Sequence, residues 1–392
     1  MISSLNTEIR LKIAWFSLRR TLSLAPMYVL CGSRSSSKHA VMYSTPAFKF
    51  SATWPSSADS FSRVRWISVR RVLDPCFWHR AVLGQFNQVR LLGVQLLELV
   101  LQLFPIQAPP GANHGAEIRG IEWSVAADGP RTAAALASLG APSLLISNDI
   151  GDDEQGQYVR RWLEERRVER AFAILSEIAT PRIVVAADDD HTRTWFAHLP
   201  GVVGSLERAD LSPSANASFL YLDCYQLIEH AVLQVIEAGR AAGVPMLLNL
   251  GGSELSQAMA SAIRGCSQAV IQTNVDDAAH AAAPEAARSL RVRTGAAWVV
   301  VTAGVFGAVA VNRSEMVSAS SFPVEVRHTH CAGAAFSAGL LYGLRSGWPM
   351  HRGMLLGSAS GALRCARHQS APLPSLDELR AVIASRPQSV AS

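Results

Sequence analysis

The chain has 392 residues, 49% of them hydrophobic and 17% charged, which supplies apolar material for a large core and excludes a disordered protein. Its net charge of +5 joins two unlike parts: residues 1–90 carry 13 basic residues against three acidic ones, whereas residues 91–392 carry 23 against 28 and no lysine. The body is therefore acidic, and nucleic acid is not its expected partner.

Residues 1–87 are rich in Ser, Arg and Trp and show no sustained period of 3.6 or 2. An organellar transit peptide, a basic nucleic-acid-binding arm and an upstream extension foreign to the fold all fit this composition. The extension is the working expectation, with residues 88–392 as the folded domain.

From Gln88 onward, short Val/Ile/Leu runs alternate with Ala/Arg/Glu-rich helical stretches. Strands are expected at 89–94, 143–146, 182–186, 219–222, 245–250, 269–272, 297–302 and 308–312. Helices are expected at 131–139, 153–165, 226–241, 254–262, 276–288, 333–346 and 351–367. Such alternation predicts an α/β fold, a doubly wound, mainly parallel sheet with helices on both faces. Its ligands would bind at the carboxyl ends of strands.

Cysteines 31, 76, 224, 266, 331 and 365 are widely spaced, with no C-x-x-C, so neither a disulfide framework nor a zinc site is indicated and a cytoplasmic location is expected. The longest apolar runs, 91–104 and 296–311, are too short to span a bilayer, so no membrane partner is expected.

Three turns after strands carry the candidate chemistry. In Ile146-Ser-Asn-Asp-Ile-Gly151-Asp152-Asp153-Glu-Gln-Gly156 a helix start follows a strand, and a capping role for Asp153 explains it on its own. In Thr302-Ala-Gly304-Val-Phe-Gly307 two glycines three apart suit either a hairpin or a loop that lets a ligand approach the backbone. In His328-Thr-His330-Cys331-Ala332-Gly333-Ala334-Ala335-Phe336 small residues open a helix, which suits an anion at its N-terminus or tight helix packing.

In this order and spacing the motifs resemble the ribokinase/PfkB-type carbohydrate kinase family over roughly residues 89–385. Gly93 followed by Glu98 resembles the opening strand with its sugar-binding acid, and 137–141 with Gly151-Asp-Asp153 and Gly156 resemble the "LG" and "GxDxxG" segments. Residues 190–194, with Arg193, fall in the lid segment, expected at about 180–200. Asn274-Val-Asp-Asp277 resembles N-x-x-E, Thr302-x-Gly304-x-x-Gly307 the nucleotide-binding T-x-G-x-x-G, and Cys331 to Phe336 the signature G-A-G-D-A-F.

The resemblance implies a ribokinase-like fold with a small β lid and ATP-dependent phosphoryl transfer to a sugar or nucleoside hydroxyl. ATP and Mg2+ are the implied cofactors. It places substrate at Glu98, Asp128, Gly129, Arg131 and Arg193, and nucleotide at Asn274, Asp277, Thr302, Gly304 and Gly307, with Asp277 acting indirectly on Mg2+. An anion hole falls at Cys331, Ala332 and Gly333. The family often pairs through its lid, so a homodimer is an expectation as well.

The sequence departs from the pattern where chemistry is done. The signature carboxylate, the family's general base, is Ala334, which accepts no proton. Cys331 replaces the opening glycine, Arg131 the sugar-contacting Asn, and His328 the motif's first acid. His328 and His330 are substitute bases by chemistry, yet they precede the helix start. The expectation therefore divides between a kinase and a catalytically silent relative that binds sugar or nucleotide.

Overall fold

The computed structural model describes residues 28–31, 39–43, 49–53, 88–93, 96–103, 118–187 and 193–386. The chain forms two compact units, Met1–Gln85 and Phe86–Ser392. In the first, β1 (Tyr28–Cys31), β2 (His39–Tyr43) and β3 (Lys49–Thr53) make an antiparallel sheet that no periodicity in the sequence announced.

The second unit opens with β4 (Val89–Leu92), which stops two residues short of the expected end. Next come β5 (Leu96–Leu103), β6 (Ile118–Ala126), α1 (Asp128–Ser138), β7 (Ser143–Ile146) and β8 (Ile150–Gly151). In α2 (Glu154–Glu165) the Asp153 carboxylate accepts from the Gly156 N–H at 2.7 Å, so Asp153 is the N-cap. Then follow β9 (Glu169–Ala171), β10 (Ile174–Leu175), β11 (Arg182–Ala187), β12 (Arg193–His198), α3 (Val202–Glu207) and β13 (Phe219–Asp223).

The remainder is α4 (Glu229–Ala241), β14 (Met246–Asn249), α5 (Gln257–Arg264), β15 (Ala269–Asn274), α6 (Ala283–Thr294), β16 (Trp298–Thr302), β17 (Ala308–Val311), β18 (Met316–Ala319), α7 (Ala332–Arg345), α8 (Met350–Cys365) and α9 (Leu376–Ala384). Short 3-10 turns at Gln226–Ile228 and Asp277–Ala282 lead into α4 and α6, where continuous helices were expected.

Nine strands form the main sheet in the order β18-β17-β16-β15-β14-β13-β4-β7-β9. Seven of them run parallel, and β16, β17 and β18 pair antiparallel at one edge. The central strands read as unbroken apolar runs, such as Met-Leu-Leu in β14, because both faces are covered. One core cluster gathers Val232, Val235 and Ile236 of α4 with Ile263 of α5 on one face. The other gathers Leu136 of α1, Leu340 and Leu341 of α7 and Met354 of α8 on the opposite face.

A second sheet is ordered β12-β11-β5-β6, and its β11 and β12 fall in the segment expected to be a lid. It extends well beyond residues 180–200, since half of it comes from β5 and β6. Those strands follow β4 directly in the chain, where the apolar run at 91–104 concealed the break at Gly93.

Candidate functional site

The starts of α1 and α7 lie at the carboxyl edge of the main sheet. At the end of β4, a Cβ added to Gly93 would lie 2.4 Å from Asp223 Oδ2 and 2.9 Å from the Gly129 Cα, so the ends of β4 and β13 and the start of α1 converge on this glycine. The Gly129 N–H donates to Asp223 Oδ2 at 2.7 Å. The Asp128 carboxylate accepts from the Tyr225 hydroxyl and the Asn249 amide, each at 3.0 Å, and Asn249 also donates to the Tyr221 hydroxyl at 2.9 Å.

Asp223 is fully buried, and its Oδ1 finds no hydrogen-bond partner among the described residues. Burial, reinforced by the nearby Asp128 charge, pushes its carboxyl well above the usual range. Two carboxyl groups side by side, Asp128 and Asp223, thus form the floor of the strand-end crevice. Sequence reasoning found Asp128 but missed Asp223, Tyr221, Tyr225 and Asn249. The signal was an acid closing the apolar strand Phe-Leu-Tyr-Leu-Asp.

Arg131 is buried and turned away from this pair. It donates to the Val125 carbonyl and to Ser124 Oγ at the end of β6, and its guanidinium lies 5.2 Å from the centre of the Trp162 ring. The special backbone position before α1 is Ala127, with φ 72°, rather than the Asp128-Gly129 pair. Glu98 occupies the register position between Ser124 on β6 and Ile183 on β11, and Arg193 begins β12 opposite Ala187. Residues 188–192, which include most of the expected 190–194 motif, lie outside the described residues.

The glycines of Thr302-x-Gly304-x-x-Gly307 serve a hairpin between the antiparallel β16 and β17, and both also make close approaches. Gly304 has φ +48°, and a Cβ there would sit 1.9 Å from Asp277 Oδ1. Gly307, at φ +89°, would clash with the Ala319 carbonyl. The Val275 N–H donates to the Thr302 carbonyl at 2.9 Å, and the amide oxygen of Asn274 lies 3.5 Å from the Cβ position of Gly252. Asn274, Asp277, Thr302 and Gly304 are therefore brought together. Beside them His280 stacks on the exposed Phe306 ring at 3.7 Å, an aromatic surface that sequence reasoning missed.

At the start of α7, Cys331 takes the left-handed conformation, φ 62°, that favours glycine. The Ala332 N–H donates back to Thr329, whereas a Cβ on Gly333 would meet nothing within 4 Å, so the first turn faces open space. Ala334 is buried, and its carbonyl accepts from the Thr132 hydroxyl at 3.3 Å. His328 Nδ1 accepts from the His330 N–H at 3.1 Å, while its buried Nε2 has no partner among the described residues. Burial, with Arg364 nearby, lowers His328 to about 4, which leaves it neutral and a weak proton acceptor at neutral pH.

Residues 127–376 match the pfkB family carbohydrate kinase. The chain belongs to that family. A 5-dehydro-2-deoxygluconokinase of Geobacillus thermodenitrificans (strain NG80-2) is 33% identical over 87 residues, 22% of this chain and 26% of that protein. The match therefore spans about a quarter of that relative's length. A 5-dehydro-2-deoxygluconokinase of Shouchella clausii (strain KSM-K16) is 21% identical over 256 residues, 60% of this chain and 78% of the relative. The structure of an E. coli protein described as a ribokinase II, in complex with ATP and Mg2+, superposes with a TM-score of 0.61 at 16% identity, covering 76% of this chain and all of that one. The fold is thus ribokinase-like, a mainly parallel sheet with helices on both faces.

Among the described residues no helix is long and apolar enough to cross a membrane. No cluster of three or more His, Cys, Asp or Glu side chains suited to a metal is found among them either.

Proposed function

We propose that this pfkB family protein binds a sugar and Mg·ATP in the strand-end crevice and transfers phosphate slowly, because the position of the family's proton acceptor is an alanine. The observation that carries the reading is the open first turn of α7, with Gly333 facing free space and Ala334 offering only a buried methyl group. Free N–H groups at a helix start suit phosphate oxygens. Gly304 packs against the Asp277 carboxylate, which brings together two residues that the family resemblance assigns to nucleotide.

Asn274, Asp277, Thr302, Gly304 and Gly307 would hold the nucleotide, with Asp277 acting on magnesium indirectly. When bound, Mg·ATP supplies the phosphoryl group. The Cys331 to Gly333 backbone would orient negative charge. Glu98, Asp128, Gly129 and Arg193 would line the acceptor side, with Arg131 bracing it from behind through the end of β6. A positioned general base is worth about 10²- to 10⁴-fold in rate, so an ordinary rate of about 10 s⁻¹ would fall to between about 0.1 and 0.001 s⁻¹.

The second reading, a kinase of ordinary rate with a relocated base, has one observation in its favour. Asp128 lies one helical turn before Thr132 on the same face of α1, and Thr132 touches Ala334. Asp128 would then accept the proton of the acceptor hydroxyl. Turnover by the full chain with Mg·ATP and a panel of sugars and nucleosides separates the two: an ordinary kinase rate abolished in Asp128→Asn supports relocation and defeats the slow-transfer reading.

A homodimer through the lid belongs to the same proposal. Phe196, Val184, Leu99 and Trp123 share one cross-strand row, and Ile121 lies on the same face, two residues from Trp123 on β6. Ile121, Trp123 and Phe196 are exposed, which favours a covering partner. Residues 1–87 stand outside this function, as an extension to the domain at 88–392.

A further inference from the structure

Helices α7 and α8 pack antiparallel along a row of glycines. A Cβ on Gly343 would lie 2.6 Å from the Gly353 Cα, one on Gly339 2.7 Å from the Gly357 Cα, and one on Gly361 3.3 Å from the Ala332 carbonyl oxygen. The next position of α8 at this four-residue spacing is Cys365. Its carbonyl accepts from the N–H groups of Arg327 and His328, at 2.8 and 3.3 Å. The chain from His328 to Ala332 therefore runs along the last turn of α8, a rise of about 6 Å from Gly361 to Cys365. Cys331 lies inside that stretch, and both thiols are half-buried. Disulfides join cysteines whose Cα atoms lie within about 7 Å, the scale of one helical turn.

Beside these two sulfurs sits a buried cation. Arg364 is only 2% exposed, and its Nη1 donates to the His368 and Gln369 carbonyls at 3.4 Å each. Its Nε and Nη2 have no hydrogen-bond partner among the described residues. Burial lowers the guanidinium pKa, and the Cys331 and Cys365 thiols both oppose that shift, so each sulfur lies within reach of its charge. A guanidinium beside a thiol favours the thiolate, the form that attacks peroxides. Cys224 and Cys266 differ, because burial raises both of their thiols and keeps them protonated.

We propose that Cys331 and Cys365 are a redox site, oxidised by a peroxide to a disulfide that ties the first turn of α7 to α8 and weakens phosphate binding there. The effect on phosphate rests on the proposed function above, whereas the thiol pairing stands without it. The Cys331 thiolate attacks one peroxide oxygen and breaks the O–O bond, giving a sulfenic acid and hydroxide, which takes up the thiol proton as water. The Cys365 sulfur then attacks the Cys331 sulfur, and the sulfenic hydroxyl leaves with the second thiol proton as another water. Two thiols thus lose two electrons, and the peroxide gains them. Cys331 precedes α7 at φ 62°, so its backbone sets the turn that leads to Gly333. A bond to α8 draws that turn away from the opening.

The test treats the full chain with hydrogen peroxide, digests it with trypsin without reduction and maps the peptides by mass spectrometry. Cleavage after Arg327, Arg345, Arg364 and Arg367 releases 328–345 and 365–367, so a Cys331–Cys365 bond joins these two peptides. Dithiothreitol should separate them. Calorimetry should find Mg·ATP binding at least ~10-fold weaker in the oxidised chain than in the reduced one, with recovery on reduction. Cys365→Ser should bind Mg·ATP as the reduced chain does and lose the response to peroxide; Cys365→Ala takes its place if that variant fails to fold. Peptides that stay separate, Cys331 joined to a different cysteine, or an Mg·ATP affinity unchanged by the bond overturns the proposal. Separate peptides in a chain that binds Mg·ATP overturn it and leave the kinase reading standing. Joined peptides in a chain whose reduced form binds no Mg·ATP support the thiol site and overturn the kinase reading.

Discussion

The hydroxyl of Thr132 donates to the carbonyl oxygen of Ala334 at 3.3 Å, joining α1, which carries Asp128 at its start, to the first turn of α7. Both helices begin where the parallel strands end, so the position of the family's proton acceptor and the crevice acids share one wall. A carboxylate placed at Ala334 would emerge beside the proposed acceptor site. Ala334→Asp should therefore raise phosphoryl transfer by about 10²- to 10⁴-fold, measured as ADP release with the best-bound sugar. No increase in a folded variant would mean that Cys331 or Arg131 also disables the site.

Asp223 carries a pH dependence whose direction is fixed by its environment. Its carboxyl is raised in the folded state by burial and by Asp128, so the folded chain binds a proton that the unfolded chain releases above its ordinary carboxylate pKa. Stability contributed by this group is complete below that value and declines as pH rises toward the folded pKa, by up to about 1.4 kcal/mol per pH unit. Asp223→Asn keeps an acceptor for the Gly129 N–H and should flatten this decline in urea unfolding between pH 5 and 8. An unchanged slope would show that Asp223 is ionised.

Gly304 is the glycine whose replacement should act on nucleotide alone. Ala there would adopt φ +48°, at a cost of about 1–2 kcal/mol, and would drive its Cβ into Asp277. Gly304→Ala should weaken Mg·ATP binding at least ~10-fold while leaving sugar binding within ~2-fold, as read by calorimetry.

The exposed row on the lid predicts assembly. Phe196→Glu places a charge on that face and should convert a dimer to a monomer in sedimentation velocity. A wild-type chain already monomeric at ~100 μM would remove the lid pairing from the account.

Residues 1–87 should be dispensable. A chain starting at Phe86 keeps Gln88, whose carbonyl accepts from Ser218 and whose amide donates to Glu169, and it should melt within ~2 °C of the full chain. A large loss of stability or solubility would return those residues to the fold.

Most of the main sheet was legible because its strands are buried on both faces, and runs such as Ser143–Ile146 have no competing helical period. The lid was only half legible. The apolar stretch after Val89 reads as one strand, whereas β4 and β5 belong to different sheets. The proposed loss at Ala334 rests on the signature motif alone, because the residue type at that position is read without coordinates. Asp223 was not legible, since its significance lies in burial and partnership across 94 residues. Ala127 and Cys331, at positive φ, show that residue type alone does not locate strained backbone.

The central claim, that this pfkB family chain retains ligand sites without the family's proton acceptor, is tested most directly by steady-state turnover of the unmodified protein with Mg·ATP and its tightest-binding sugar. The account predicts measurable Mg·ATP binding with transfer at or below about 0.1 s⁻¹. Turnover near 10 s⁻¹ would contradict it.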